Sequence, residues 1–125
     1  MSKSAYQNAV VGVGLNVNQD EFEDLPNAIS LKQIVGIEFP LANVLERLCE
    51  TLEARYLQLR ANKYESLKSD YLSKLYWFEE SHFFKIKNEL IQAKIVDVLR
   101  NGRLQVELID GELRDFDIKE IEFIE

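Results

Sequence analysis

The residues whose types and spacing could do chemistry lie near the start of the chain, in Val10-Val11-Gly12-Val13-Gly14-Leu15-Asn16-Val17-Asn18. β-Branched side chains dominate Ala9–Val17, which predicts a strand. Two glycines weaken such a strand, and parity supplies a reason for them. Residues two apart share a sheet face, so Gly12, Gly14, Asn16 and Asn18 lie together, opposite Val11, Val13, Leu15 and Val17. One face is therefore apolar and core-directed, and the other is bare backbone followed by two carboxamides. A flat ligand could lie against the bare part while Asn16 hydrogen-bonds its polar end. The pattern fits equally well if the glycines admit a bulky neighbour or a bulge and the asparagines open a loop. A dinucleotide site explains it poorly, because Val17 stands where the third glycine of G-x-G-x-x-G would be and no helix follows at once.

Other chemistry-bearing residues read as structural. His82 is the only histidine and has no cluster at metal-ligand spacing, so it reads as a surface or inter-domain residue. Cys49 stands alone, cannot form an internal disulfide, and falls on the apolar face of a predicted helix, which suits a small buried hydrophobe. Trp77, Phe78, Phe83 and Phe84 read as packing between a helix pair and the strands after it. Arg100, Arg103 and Arg114 flank predicted turns and read as solvated charges, though a nucleotide or a partner protein could meet them.

The elements that position these residues follow from periodicity. Asn18–Pro26 is polar and acidic, a surface loop. Ser30 and Gln33 have capping-box spacing, and Gly36 offers a stop, framing a short helix over Leu31–Val35. After Pro40, Leu41, Val44, Leu45, Leu48, Cys49, Leu52, Tyr56 and Leu59 form one apolar stripe on a helix to about Arg60. Asn62 with Glu65 predicts a second capping pair, before a shorter amphipathic helix marked by Tyr64, Leu67, Tyr71, Leu72 and Leu75. A short connection between two such helices predicts an antiparallel hairpin over a common core. Beyond Trp77 the period becomes strand-like, with strands at Ile91–Val98, Leu104–Leu108, Leu113–Phe116 and Ile121–Ile124. Asn101-Gly102 and Asp110-Gly111 predict type I′ hairpin turns. Such a short meander is closed most naturally as a small SH3-like barrel.

Composition narrows the function classes. The 125 residues suit one domain or two very small ones, and 46% hydrophobic with 30% charged residues is ordinary for a globular protein. A net charge of −7 argues against a nucleic-acid partner. No apolar run approaches the ~20 residues that span a bilayer, and the first residues lack the core of a secretory signal, so no membrane association and a cytoplasmic location are expected.

Val-Val-Gly-Val-Gly-Leu-Asn-Val-Asn-Gln at 10–19 resembles the glycine strand of biotin protein ligases. Leu25-Pro26-Asn27-Ala28-Ile29-Ser30-Leu31 is similar to that family's next segment, of the Pro-Ala-Thr-Ser-Leu type. A helix pair and a terminal barrel with Lys119-Glu120-Ile121 follow in the family's order. The resemblance covers the chain from about residue 9. It implies an α+β fold: a remnant of the ligase catalytic sheet with a helical hairpin over residues 1–80, then an SH3-like barrel over 81–125.

The resemblance also implies biotin, ATP and magnesium as cofactors, none held tightly by this chain alone, and a biotin carrier protein as partner. Such ligases make biotinyl-adenylate and pass the biotinyl group to a carrier lysine. Gly12 and Gly14 map onto the biotin wall, and Asn16 and Ala28 onto the nucleotide end; no catalytic or metal-binding residue carries over. The family's Gly-Arg-Gly-Arg loop and Lys-Trp-Pro-Asn motif do not occur in these residues, so a part of a ligase, inactive alone, is expected. Two other readings stand beside it: a non-catalytic module that binds a carrier domain or partner ligase subunit, and a fold remnant used for self-association. A homodimer, or self-association through the N-terminal strand, is expected in any of these cases.

Overall fold

The computed structural model describes residues 8–124; the leading residues, read above as lacking a secretory signal, lie outside that range. The chain divides into two compact units, the first ending at Ala54 and the second beginning at Arg55.

In the first unit, the helix α1 spans Leu31–Val35, capped as its sequence predicts. The Ser30 side chain accepts from the Gln33 N–H, the Gln33 side chain accepts in return from the Ser30 N–H, and Gly36 closes the helix at φ 81°. The helix α2 spans Leu41–Arg60, starting directly after Pro40 in the first unit and ending in the second. The predicted strand Ala9–Val17 is not formed. All five strands lie between Ser81 and Phe123, so the expected remnant of a catalytic sheet is not present among the described residues. The physical reason is partnership: a lone segment cannot build a ladder however β-prone its side chains are.

In the second unit, the helix α3 spans Tyr64–Leu72. Its N-cap is Lys63 with no side-chain cap, so the expected Asn62 cap does not occur. Asn62 instead takes the left-handed conformation, φ 57°, that ends α2, a role asparagine tolerates. No residue of α2 or α3 is buried, and the common core expected beneath a helical hairpin is not seen. Cys49 is exposed for the same reason: its apolar stripe is uncovered.

Five antiparallel strands follow: β1 Ser81–Ile86, β2 Glu89–Val98, β3 Leu104–Leu108, β4 Leu113–Phe116 and β5 Ile121–Phe123. Their order is β4-β3-β2-β1-β5, and β4 and β5 share no ladder, so the sheet is open rather than closed. Alternation buries one face: Phe84, Ile86, Ala93, Ile95, Leu104, Val106 and Ile121 form the core, with Trp77 and Phe78 packed against it. β1 was not anticipated. Its hairpin to β2 turns at Lys87 and Asn88, both with positive φ, without a glycine to signal it. The other two hairpins are not type I′, because only Gly102 and Gly111 have positive φ. Gly102 N–H donates to Leu99 O and Gly111 N–H to Leu108 O, which are turns closed by a left-handed glycine.

Candidate functional site

The glycine segment reaches its loop through backbone hydrogen bonds. The Leu31 N–H donates to Asn16 O (3.0 Å) and the Lys32 N–H to Val17 O (2.9 Å), so the end of the segment is tied to the start of α1. Ala28 lies just before that junction, half-buried, in a turn where its N–H donates to Leu25 O (3.1 Å). Asn16 is thus tied to Leu31, three residues after Ala28. The Asn16 carboxamide is exposed and, among the described residues, has no hydrogen-bond partner.

Gly12 and Gly14 are exposed, and a Cβ built on either would meet no atom within 4 Å. That is open space, enough for a flat ligand to approach the backbone. Leu15 opens onto a cleft of about 410 Å³ shared with Leu31, Phe39, Val44 and Leu48. The face expected to be core-directed is otherwise uncovered: Val11, Val13 and Leu15 are all exposed, because no strand forms to turn them onto a core.

Asn18, placed by parity beside Asn16, has a different job that spacing could not reveal. Its carboxamide donates to Phe39 O (2.7 Å) and accepts from the Phe39 N–H (2.8 Å). Both ends are used, so Asn18 fastens the segment ahead of α2 and is not free for a ligand. Lys32 donates to Asp20 Oδ2 at 2.7 Å, and that hydrogen bond, opposed by partial desolvation, raises the lysine above its ordinary value. Its charge is balanced locally.

The remaining candidates sit in the sheet unit. His82 stacks on Trp77, centroids 3.8 Å apart and 6° from parallel, with its Nε2 3.0 Å from Glu80 Oε2. Trp77 meets Phe84 edge-on and Phe123 at a tilt, while Phe83 points outward. Arg103 bridges Asp115 and Glu120, and Arg114 is paired with Glu112. Both guanidiniums are raised, each chiefly by its carboxylate hydrogen bond, to Asp115 and Glu112 respectively. Arg100 is exposed. Among the described residues, no group of three or more His, Cys, Asp or Glu could hold a metal ion, and no helix is long and apolar enough to cross a membrane.

An independent comparison bears on this geometry. The structure of apo biotin protein ligase from Aquifex aeolicus superimposes with a TM-score of 0.66 at 19% identity, covering 87% of this chain and 49% of that one. A second crystal structure of the Aquifex aeolicus ligase gives a TM-score of 0.66 at 18% identity over 86% of this chain. The fold is similar to that of half a biotin protein ligase. The chain spans about half the length of the ligase structures it matches. No protein-family model and no curated protein sequence matches it. The likeness is one of fold, at low sequence identity.

Proposed function

We propose that this chain is the C-terminal half of a biotin protein ligase, contributing one wall of the biotin site and the nucleotide end beside it. The observation that carries the reading is the ligase-like fold over 87% of the chain. The motif at residues 10–19 and the open backbone at Gly12 and Gly14 agree with it. In this reading residues 1–80 belong to the catalytic domain, and 81–125 correspond to its SH3-like barrel. Gly12 and Gly14 lie against the flat ring system of biotin, while Asn16 and Ala28 flank the nucleotide. The partner acted upon is a biotin carrier protein.

The residues present fit biotin and ATP unequally. The glycine wall has room for a flat, largely apolar ligand. A triphosphate requires cations and backbone donors around its charge, and here Lys32 is paired with Asp20 and Arg47 with Glu50. The described residues do not fit magnesium, since no group of three or more His, Cys, Asp or Glu comes together among them. The Gly-Arg-Gly-Arg and Lys-Trp-Pro-Asn motifs of the family do not occur in these residues. Removing one such electrostatic group costs ~10²–10³ in rate, so losing several leaves no useful catalysis. The test is biotin-dependent pyrophosphate release from ATP by this chain. No release above background is expected, and turnover comparable with an intact ligase would contradict the proposal. The uncovered faces of α2 and α3 favour one second reading, a non-catalytic module that binds a carrier domain or a partner ligase subunit.

A further inference from the structure

Arg47, Arg55, Lys68 and Lys74 line clefts of about 410 to 550 Å³. Three of these cations are neutralised in place: Arg47 by Glu50, Arg55 by Asp70 and Lys68 by Asp97. The Lys74 side chain has no hydrogen bond or ion pair among the described residues. The chain holds 22 Asp and Glu against 15 Lys and Arg, so carboxylates are in excess and this cation still has none. An ammonium left over in a cleft is placed to receive an anion from outside.

The cleft that holds Lys74 has a volume of about 450 Å³ and lies wholly within the second unit. Most of it is built by α3 and the turn after it. Leu67, Tyr71 and Leu75 recur at four-residue steps as an apolar stripe, with Asp70 and Lys74 on the stripe beside it. Beyond Leu72 the Lys74 N–H donates to Tyr71 O and the Leu75 N–H to Leu72 O, both at 3.1 Å. These bonds close a 3₁₀ turn that prolongs the helix by a few residues. Tyr76 adds to the apolar side, and Arg55, near the end of α2, to the polar side. Leu67 and Leu75 are half-buried, while Tyr71 and Tyr76 are each 55% exposed, which leaves ring area for a ligand to cover.

Charge and shape together select a ligand class. Arg55 and Asp70 cancel each other, so Lys74 leaves the cleft with a single positive charge on a chain of net −7. The Tyr71 hydroxyl also has no partner among the described residues and stands three positions before Lys74 on the same side of the helix. An ammonium and a phenol side by side are two donors, and the two oxygens of a carboxylate can accept from both. The tyrosine rings beside them favour a second ring, packed offset or edge-on. A cleft of this size lies in the range that holds small molecules, roughly 300–1,000 Å³. We infer that this cleft binds a small aromatic monocarboxylate, with its carboxylate on Lys74 and Tyr71 and its ring against the tyrosines. A phosphate dianion is disfavoured, because one cation is uncompensated and Asp70 lies beside it. A neutral ring would leave the ammonium without a partner in a partly desolvated place. The site lies in a different unit from the glycine segment and does not depend on the ligase reading.

Nitrogen-edited NMR of the full labelled chain with 2-naphthoate as the probe tests the inference. The amide signals of Lys74, Leu75 and Tyr76 should shift and saturate. 2-Naphthalenemethanol has the same ring without the charge and should bind about tenfold more weakly or worse, as expected for loss of a hydrogen bond to a charged group. Lys74→Gln should weaken naphthoate by the same factor and leave the alcohol unchanged, and Tyr71→Phe should weaken naphthoate severalfold. Both side chains are exposed, so the sheet signals should stay in place in either variant. Unmoved amides at residues 74–76, equal binding of the two probes, or full naphthoate affinity in Lys74→Gln would each overturn the inference. So would shifts gathered instead at Gly102 and Ile118, which line the neighbouring cleft.

Discussion

Asn16 and Asn18 sit two residues apart and would look interchangeable on a strand, yet their carboxamides are in different states. Asn18 is consumed by the backbone of Phe39, while Asn16 uses only its carbonyl, for Leu31, and leaves its side chain free. A ligand-facing role is open to Asn16 alone. Lys32 shows the same local logic in charge. The hydrogen bond from Lys32 to Asp20 favours the protonated amine, so its pKa rises above 10.5. Its contribution to stability is fully present below the ordinary lysine pKa and is lost as pH rises through the raised one. Asp20→Asn should return the titration of Lys32 toward 10.5, followed by NMR of the lysine side chain. A Lys32 that titrates identically in the variant would show that the pair does not persist in solution.

At the level of elements, burial separates residues that composition treats alike. Ile95 in β2 is fully buried, whereas Phe83 in β1 is 48% exposed. Ile95→Ala should therefore destabilise the sheet by about 2–5 kcal/mol through lost transfer energy and the cavity left behind. Phe83→Ser should stay within about 0.5 kcal/mol, as surface changes do. Denaturant unfolding followed by Trp77 fluorescence checks both, and similar losses would mean the sheet's faces are assigned wrongly. The helices were legible because stripe, capping box and stop signals are local: Ser30, Gln33 and Gly36 frame α1 as their spacing requires. β1 was not, because its turn at Lys87 and Asn88 uses positive φ without glycine. The strand over Ala9–Val17 was overread, since pairing is a property of two segments and the sequence of one cannot supply the other. Of the candidate site, the capped start of α1 beside the glycine segment was legible, while the backbone tie of Asn16 to Leu31 and the clasp of Asn18 on Phe39 carry no sequence signal.

On the scale of the whole molecule, charge and the proposed function bear on different kinds of partner. The net charge of −7 disfavours polyanions, and the proposed ligase role calls for a small ring system and a protein substrate. The sheet unit carries the hydrophobic core, and the first unit carries the open glycine wall and the uncovered helix face. In the proposed function, stability and ligand recognition thus rest on different parts of the chain. The proposal stands on whether biotin recognises that wall, and nitrogen-edited NMR of the labelled chain with added biotin measures this most directly. Amide signals of Gly12, Gly14, Asn16 and Ala28 should shift with biotin, and Gly14→Val, which fills the open face, should abolish the shifts while leaving the sheet signals in place. Unmoved glycine amides, shifts confined to residues 81–123, or identical shifts in Gly14→Val would contradict the account.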